Sequence, residues 1–275
     1  MVKFSVLMSV YSKENSEFLD NAIESVLIKQ TVKPDEVVLV EDGPLTKELE
    51  LVINNYLNKF PSIIKIVRLE TNKGLGEALN AGLEKCSYDL VARMDTDDIS
   101  HPKRFEEQIR VFSEDNTLDL VGTNIAEFYD SPNTIVSIKE VPEDSKNIIK
   151  MSKRRNPINH MTVMFRKEAV LKAGGYKHMF YLEDYYLWVR MLNNNSKFTN
   201  IQKQLVYVRT GDSQFIRRSN PKYIKSWYLL QKEMHSYRMI NFIDCVINMI
   251  NITIFILIPA RLKKFVYKKI LRKST

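Results

Sequence analysis

Four short apolar runs, Phe4 to Val10, Glu36 to Val40, Ile63 to Leu69 and Tyr88 to Met94, fall within the first hundred residues and are rich in Val, Ile and Leu. Runs of this length read as buried strands. Between them, Leu19, Ala22, Ile23, Val26 and Leu27, then Leu49, Val52, Ile53 and Tyr56, then Leu75, Ala78, Leu79 and Leu83, recur at helical spacing. Strand and helix alternating at this pitch predict an α/β chain: a parallel, Rossmann-like sheet with helices on both faces and ligands beyond the carboxyl ends of its strands. A further helix is expected after Pro102, a residue suited to a first helical turn. Past residue 120 the pattern becomes mixed, with strands near Thr162 to Phe165 and Leu205 to Arg209 and a helix from about Glu183 to Leu192.

With 44% hydrophobic and 27% charged residues, 275 residues suffice for one large α/β domain with an appendage, which excludes wholesale disorder, collagen and a disulfide scaffold. Cys86 and Cys245 stand far apart and lack partners at metal-ligand spacing, which favours a reducing compartment. The apolar stretch at Met1 to Val10 is too short for a signal peptide and has no small-residue cleavage site, so a cytoplasmic chain is expected.

The strand ends carry the chemistry. After the fourth strand comes Arg93-Met94-Asp95-Thr96-Asp97-Asp98, and three carboxylates within four residues repel one another unless a cation sits among them. Oxygen-only ligands suit Mn²⁺ or Mg²⁺, and a site of this kind also receives substrate phosphates. Taken alone, the same acids would serve as a solvated turn before a helix. Asn72-Lys73-Gly74-Leu75-Gly76 is a permissive turn that could bring amides to a phosphate. It is neither a dinucleotide fingerprint nor a Walker A loop.

Six segments in order give the chain a resemblance. They are Ser5-Val6-Leu7-Met8-Ser9-Val10-Tyr11, Val40-Glu41-Asp42-Gly43, Asn72 through Asn80, Ala92 through Asp98, Gly174-Gly175-Tyr176 and Glu183-Asp184-Tyr185-Tyr186-Leu187-Trp188. Together they resemble family 2 glycosyltransferases, the nucleotide-sugar-dependent class with a GT-A fold, in particular those of bacterial O-antigen and capsular polysaccharide synthesis. The resemblance implies that Val10, Tyr11, Glu41 and Asp42 hold the nucleoside of a UDP-sugar, with Asn72, Gly74, Arg93, Asp95 and Thr96 completing that pocket. Asp95 and Asp97 match the DXD pair for ribose, diphosphate and divalent metal, with Asp98 adjacent, and Asp184, paired with Glu183, matches the catalytic base.

Two departures stand out. Tyr186 occupies a position where relatives often carry Asp, and the Gln-x-x-Arg-Trp of processive synthases is present only as Gln214-Phe215-Ile216-Arg217-Arg218. Without that Trp, and without multiple membrane spans, the expectation is addition of one sugar rather than polymerisation.

On chemical grounds an inverting transferase needs a metal for the departing diphosphate and one distant general base, so the two acidic segments suffice. Acids at Glu183 and Asp184 would also complement a helix N-terminus. On the acceptor side, Tyr185 and Trp188 are candidates for a sugar platform, His160 for an acceptor contact and Arg217 for a diphosphate contact; each also has an ordinary structural reading as core or solvated turn. A nucleotidyltransferase on a related sheet would need a basic Gly-rich loop after the first strand, which Val10-Tyr11-Ser12-Lys13-Glu14 does not supply. A non-catalytic, membrane-bound nucleotide-sugar sensor would have no use for an intact Asp184.

Residues 261–275 hold seven Lys or Arg and no acid, so seven of the net +8 charges belong to this tail and residues 1–260 carry only +1. A phosphate-tracking body surface, and hence nucleic acid, is disfavoured. In residues 239–260, Asn241, Asp244, Asn248 and Asn251 share one helical face, and the uninterrupted part from Cys245 to Ala260 is shorter than a span. Pro259 interrupts the pattern, after which Leu262, Phe265, Val266 and Ile270 form a second apolar stripe. The expected organisation is a glycosyltransferase domain over 1–220, with a nucleotide-binding half (1–100) and an acceptor half (101–220). An amphipathic helical extension over 221–275 would attach it to the cytoplasmic membrane surface, where a lipid-diphosphate-linked glycan acceptor resides; the alternative is a C-terminal subdomain packed on the body, since amphipathicity alone does not distinguish the two.

Overall fold

The computed structural model describes residues 2–211 and 221–258. Strands β1 (Phe4–Val10), β2 (Glu36–Glu41), β3 (Ile64–Arg68) and β4 (Leu90–Met94) pair in parallel in the order β3-β2-β1-β4. Alternate side chains of β1 serve opposite layers. Phe4, Val6, Met8 and Val10 join the core that includes Leu19, Ile23, Val26 and Leu49, while Leu7 joins the one that includes Ala78, Leu79 and Leu83. This two-sided burial explains why the strands read as continuous apolar runs.

Between them lie α1 (Ser16–Leu27), α2 (Lys47–Lys59) and α3 (Leu75–Lys85). Asn15 starts α1 by accepting from the amides of Glu17 and Phe18, at 2.8 and 3.2 Å, and Thr46 accepts from Leu49 at the head of α2. The register Val10↔Glu41, Glu41↔Arg68 and Met8↔Met94 brings the carboxyl ends of all four strands to one edge.

The second half, where the sequence pattern becomes mixed, adds antiparallel pairing to the parallel sheet. It comprises β5 (Ile99–Ser100), α4 (Arg104–Glu114), β6 (Leu120–Phe128), β7 (Ile135–Lys139), α5 (Ser145–Ser152), a 3₁₀ turn at His160–Thr162, β8 (Met164–Arg166), α6 (Lys167–Lys172), α7 (Glu183–Asn193) and β9 (Phe198–Arg209). β8 runs antiparallel to both β4 and β6, β6 and β9 are parallel, and the full order is β3-β2-β1-β4-β8-β6-β9-β5 with β7 on β6. Pro102 precedes α4 rather than opening it; its carbonyl accepts from Thr31 at 2.8 Å.

Beneath this junction Arg104 is fully buried, donating to the Arg93 carbonyl at 2.7 Å, to the Val163 carbonyl at 3.3 Å and to Gln108 Oε1 at 3.1 Å. Burial and the nearby Arg93 bring its pKa down to about 9. Gln108 in turn donates to the carbonyls of Val121 and Thr162, 2.8 Å each. The α4 side chains therefore tie β4, β6 and the 3₁₀ turn together where the sheet changes direction.

Helices α8 (Pro221–Ser236) and α9 (Phe242–Leu257) pack on α7 through Tyr185, Val189, Tyr223, Trp227, Leu230 and Met234. The polar residues of α9 have structural duties. Asn241 and Asp244 form a capping box, and buried Asn248 donates to the Lys153 carbonyl at 2.7 Å and to Gln231 Oε1 at 2.8 Å. Phe242, Ile243, Ile247, Ile250, Ile254 and Leu257 are turned outward, with Phe242 at 70% and Leu257 at 75% exposure. Among the described residues no helix is long and apolar enough to cross a membrane. Cys86 and Cys245 are both free.

Candidate functional site

At the end of β4 the chain turns through Asp95, Thr96, Asp97 and Asp98. Arg93 lies in the sheet with its guanidinium buried and forms a two-point pair with the Asp95 carboxylate, 2.6 Å on one arm. The neighbouring Asp holds this guanidinium charged against the cost of burial. Carboxylate oxygens from Asp95, Asp97 and Asp98 come within 4.8 Å of one another. Burial, together with Asp95 and Glu14, pushes Asp97 up to about 7, and burial with Asp97 and Asp95 holds Asp98 well above the usual carboxylate range. Such a cluster of hard oxygen donors has more negative charge than Arg93 offsets, which fits a divalent cation of the Mg²⁺ or Mn²⁺ kind.

The turn itself is held from three sides. Thr96 donates to Ser9 O and to Glu14 Oε2, at 3.3 and 3.0 Å, while the Arg209 amide donates to Asp98 Oδ1 at 2.9 Å. The Arg209 guanidinium lies 3.7 Å from the Phe18 ring centroid and donates to the Asp97 carbonyl at 3.3 Å.

Next to it, β2 ends in Glu41, which accepts from Arg68 at 2.9 Å, and Asp42, which accepts from the amides of Lys73 at 2.7 Å and Gly74 at 3.0 Å. The Asn72 side-chain amide donates to the Asp42 carbonyl at 3.3 Å. Gly43 makes this approach possible: its φ is +85°, and a Cβ there would stand 2.6 Å from the Asn72 nitrogen. Tyr11 is 42% exposed at the end of β1. Val10 is wholly buried, its side chain in the core and its carbonyl accepting from the Asp42 amide at 2.8 Å, so only its backbone serves this edge.

Across the site, Asp184 lies in the first turn of α7 and accepts from Asn156 Nδ2 at 2.7 Å. Burial raises its pKa, opposed by the Tyr185 amide, Asn156, Lys139 and Arg93. Glu183 beside it is also raised, by burial first and then by Asp184. The Tyr176 side chain is within charge range of Arg93, Asp95 and Asp184. Its backbone is clasped by Asn80 of α3, which accepts from the Tyr176 amide and donates to its carbonyl, both at 2.8 Å. The preceding Gly175, with φ +63°, lets Asn80 in: a Cβ there would lie 2.7 Å from Asn80 Oδ1. Arg190 grips the same turn through the carbonyls of Ala173 and Gly175 and lies over the Tyr186 ring at 4.5 Å.

His160 Nε2 and the Tyr176 hydroxyl are 2.9 Å apart. Burial and Arg93 press the His160 pKa well below its ordinary value, so the ring is neutral. Two acceptor-side expectations are corrected. Tyr185 is fully buried with its hydroxyl donating to the Ser152 carbonyl at 2.6 Å, and Trp188 is fully buried in the core beside Phe198, so neither offers a face to a sugar. Arg217 lies outside the described residues. Glu14, Arg104, Asn156 and Arg209 escaped the sequence reading. Only Arg104 had a signal, a charged residue on the inward face of its helix, next to Phe105.

The sequence profile of Glycosyl transferase family 2 matches residues 5–172. Amylovoran biosynthesis glycosyltransferase AmsE of Erwinia amylovora is 40% identical, the alignment covering 97% of this chain and 98% of the relative. An Escherichia coli UDP-Gal:alpha-D-GlcNAc-diphosphoundecaprenol beta-1,3-galactosyltransferase is 38% identical, covering 98% and 97%. Among solved structures, S. aureus TarS in complex with UDP-GlcNAc superposes with a TM-score of 0.64 at 18% identity, over 85% of this chain and 66% of that one. The mannosyltransferase PcManGT of Pyrobaculum calidifontis, in complex with GDP-Man and Mn²⁺, gives 0.63 at 12%, over 95% and 71%. These likenesses agree with a GT-A fold.

Proposed function

The chain belongs to glycosyl transferase family 2, and from that premise we propose that it moves a single sugar, with inversion, from a UDP-sugar to a lipid-diphosphate-linked acceptor of a surface polysaccharide. The observation that supports this reading is that Asp95 of the Asp95-Asp97-Asp98 cluster and Asp184 are both within charge range of Tyr176 and Arg93. Asp95, Asp97 and Asp98 would hold a divalent cation, which supplies charge stabilisation to the departing diphosphate.

Glu41, Asp42, Asn72 and Gly74, with Tyr11, form the nucleoside end of the donor pocket, and Arg93 fixes Asp95 at its phosphate end. Asp184 takes the proton from the acceptor hydroxyl as its oxygen bonds to the anomeric carbon and the bond to the diphosphate breaks, the electron pair leaving with UDP. Asn156 favours the ionised form of Asp184, and neutral His160 with Tyr176 supplies uncharged hydrogen-bonding groups beside the sugar. The names of the E. coli and Erwinia relatives support the lipid-diphosphate acceptor and the polysaccharide product, and UDP-GlcNAc in TarS supports the donor class.

Residues 1–220 act as the transferase domain and 221–275 as its attachment to the cytoplasmic membrane surface. The outward apolar face of α9, followed in sequence by seven cations, supports that attachment. Asp184→Asn is the decisive variant. Transfer should fall by on the order of a hundredfold or more while UDP affinity and melting temperature stay near normal. Near-normal transfer would remove Asp184 as the base, and a large loss of melting temperature with normal turnover per folded molecule would make it a helix-terminal structural acid.

A further inference from the structure

Helix α5 ends at Ser152 and is followed by Lys153, Arg154 and Arg155, three exposed cations in a row. The turn that presents them is fixed at every step. The amides of Arg154 and Arg155 donate to the Met151 carbonyl at 2.9 and 3.0 Å, and Tyr185 of α7 donates to the Ser152 carbonyl at 2.6 Å. From the other side, Asn248 of α9 donates to the Lys153 carbonyl at 2.7 Å. The next residue, Asn156, holds Asp184 at 2.7 Å. Among the described residues, no acid forms an ion pair with any of these three side chains.

The cationic turn thus lies between two features of opposite character. On one side it is bonded to the helix whose outward face is apolar; on the other it runs directly into the residue that holds Asp184. Apolar surface, cations and general base complement, in that order, the lipid, the anionic diphosphate and the sugar hydroxyl of a polyprenyl diphosphate sugar. We propose that the turn formed by Lys153, Arg154 and Arg155 binds the diphosphate of the lipid-linked acceptor, an assignment that rests on the function proposed above. Guanidinium groups suit the role because they donate in parallel to phosphate oxygens, and a backbone held by α7 and α9 presents them without further ordering.

The test is calorimetric binding of farnesyl diphosphate to the full chain in detergent, with UDP and Mn²⁺ saturating so that the donor pocket is occupied. The double variant Arg154→Ala, Arg155→Ala should bind farnesyl diphosphate roughly tenfold or more weakly, as loss of charge-assisted bonds to an anion implies. UDP affinity and melting temperature should be unchanged. Equal farnesyl diphosphate affinity in the variant overturns the proposal. So does a loss confined to phosphatidylglycerol vesicles, which would make the turn a general headgroup contact. A fall in melting temperature would show cations serving the α5 carboxyl terminus; the pair Arg154→Gln, Arg155→Gln then decides, and normal affinity in that folded variant overturns the proposal as well. UDP binding in the same samples separates this outcome from a failure of the donor-site reading, which would lose UDP affinity in the parent chain.

Discussion

The two walls of the site are built by different means. On the proposed donor wall the functional groups stand at the ends of parallel strands: Tyr11 after β1, Glu41 on β2 with Asp42 just after it, Arg93 on β4 with the aspartates in the turn that follows. On the proposed acceptor wall the groups arrive from remote segments and are locked by single side chains, as Asn80 clasps the Tyr176 backbone and the Asn156 amide donates to the Asp184 carboxylate. The first wall is a property of the sheet. The second depends on a few specific hydrogen bonds, and its residues are correspondingly harder to find.

Three substitutions would break or sharpen that contrast. The largest effect is expected from Asp97→Asn on the donor wall. Loss of a charged oxygen ligand should weaken Mn²⁺-dependent UDP binding by on the order of a hundredfold, since even indirect metal partners cost about ten- to a hundredfold. The same change should raise stability without metal at neutral pH. Because Asp97 sits at about 7 rather than 3.8, its protonated form is favoured by folding. Its contribution is therefore fully present below 3.8 and lost as pH rises through about 7. The metal-free melting temperature of the parent should decline with rising pH across that window relative to Asp97→Asn, and added Mn²⁺ should abolish the difference. A variant that binds UDP with undiminished metal dependence would show that the cluster is an ordinary turn.

Asn80→Ala crosses between the walls, because α3 belongs to the donor half and its side chain supports the acceptor turn. Leaving both polar groups of Tyr176 without their partner should cost about 1–3 kcal/mol, read as a lower denaturation midpoint. Transfer should fall while UDP affinity holds. If UDP affinity falls equally, the two walls are a single mechanical unit and the contrast dissolves. The smallest effect belongs to Tyr185→Phe. Removing the hydroxyl that meets Ser152 should cost about 1 kcal/mol of stability and leave UDP affinity untouched, as befits a core residue. A melting temperature equal to the parent's would show that this hydroxyl contributes nothing to the core.

The contrast also explains how legible the chain was. Strands at Phe4–Val10 and Glu36–Glu41 were readable because burial on both faces leaves an uninterrupted apolar run, and a parallel sheet then dictates which loops share an edge. Asp95, Asp97 and Asp98 followed from that rule and from mutual repulsion, and the ordered motifs extended the reading to Asp184. The polarity of α9 was readable too, but its meaning was not. Four polar residues on one face argued against a span and left an interfacial or a packed helix open; in the structure Asn248 is buried against the body and Gln231, and the apolar arc faces out.

What the sequence by itself determined is local: helical and strand periods, the acids after β4, the excess of cations past residue 260. Only the tertiary structure decided that β8 turns the sheet antiparallel beside β4, that Arg104 sits buried beneath Arg93, that Trp188 is core, and that Lys153, Arg154 and Arg155 lie between α9 and the proposed base. The reason is physical. Periodicity records which face of an element is buried, but not what buries it, and a hydrogen bond between residues 96 positions apart, such as Asn80 to Tyr176, leaves no trace in the spacing of either segment.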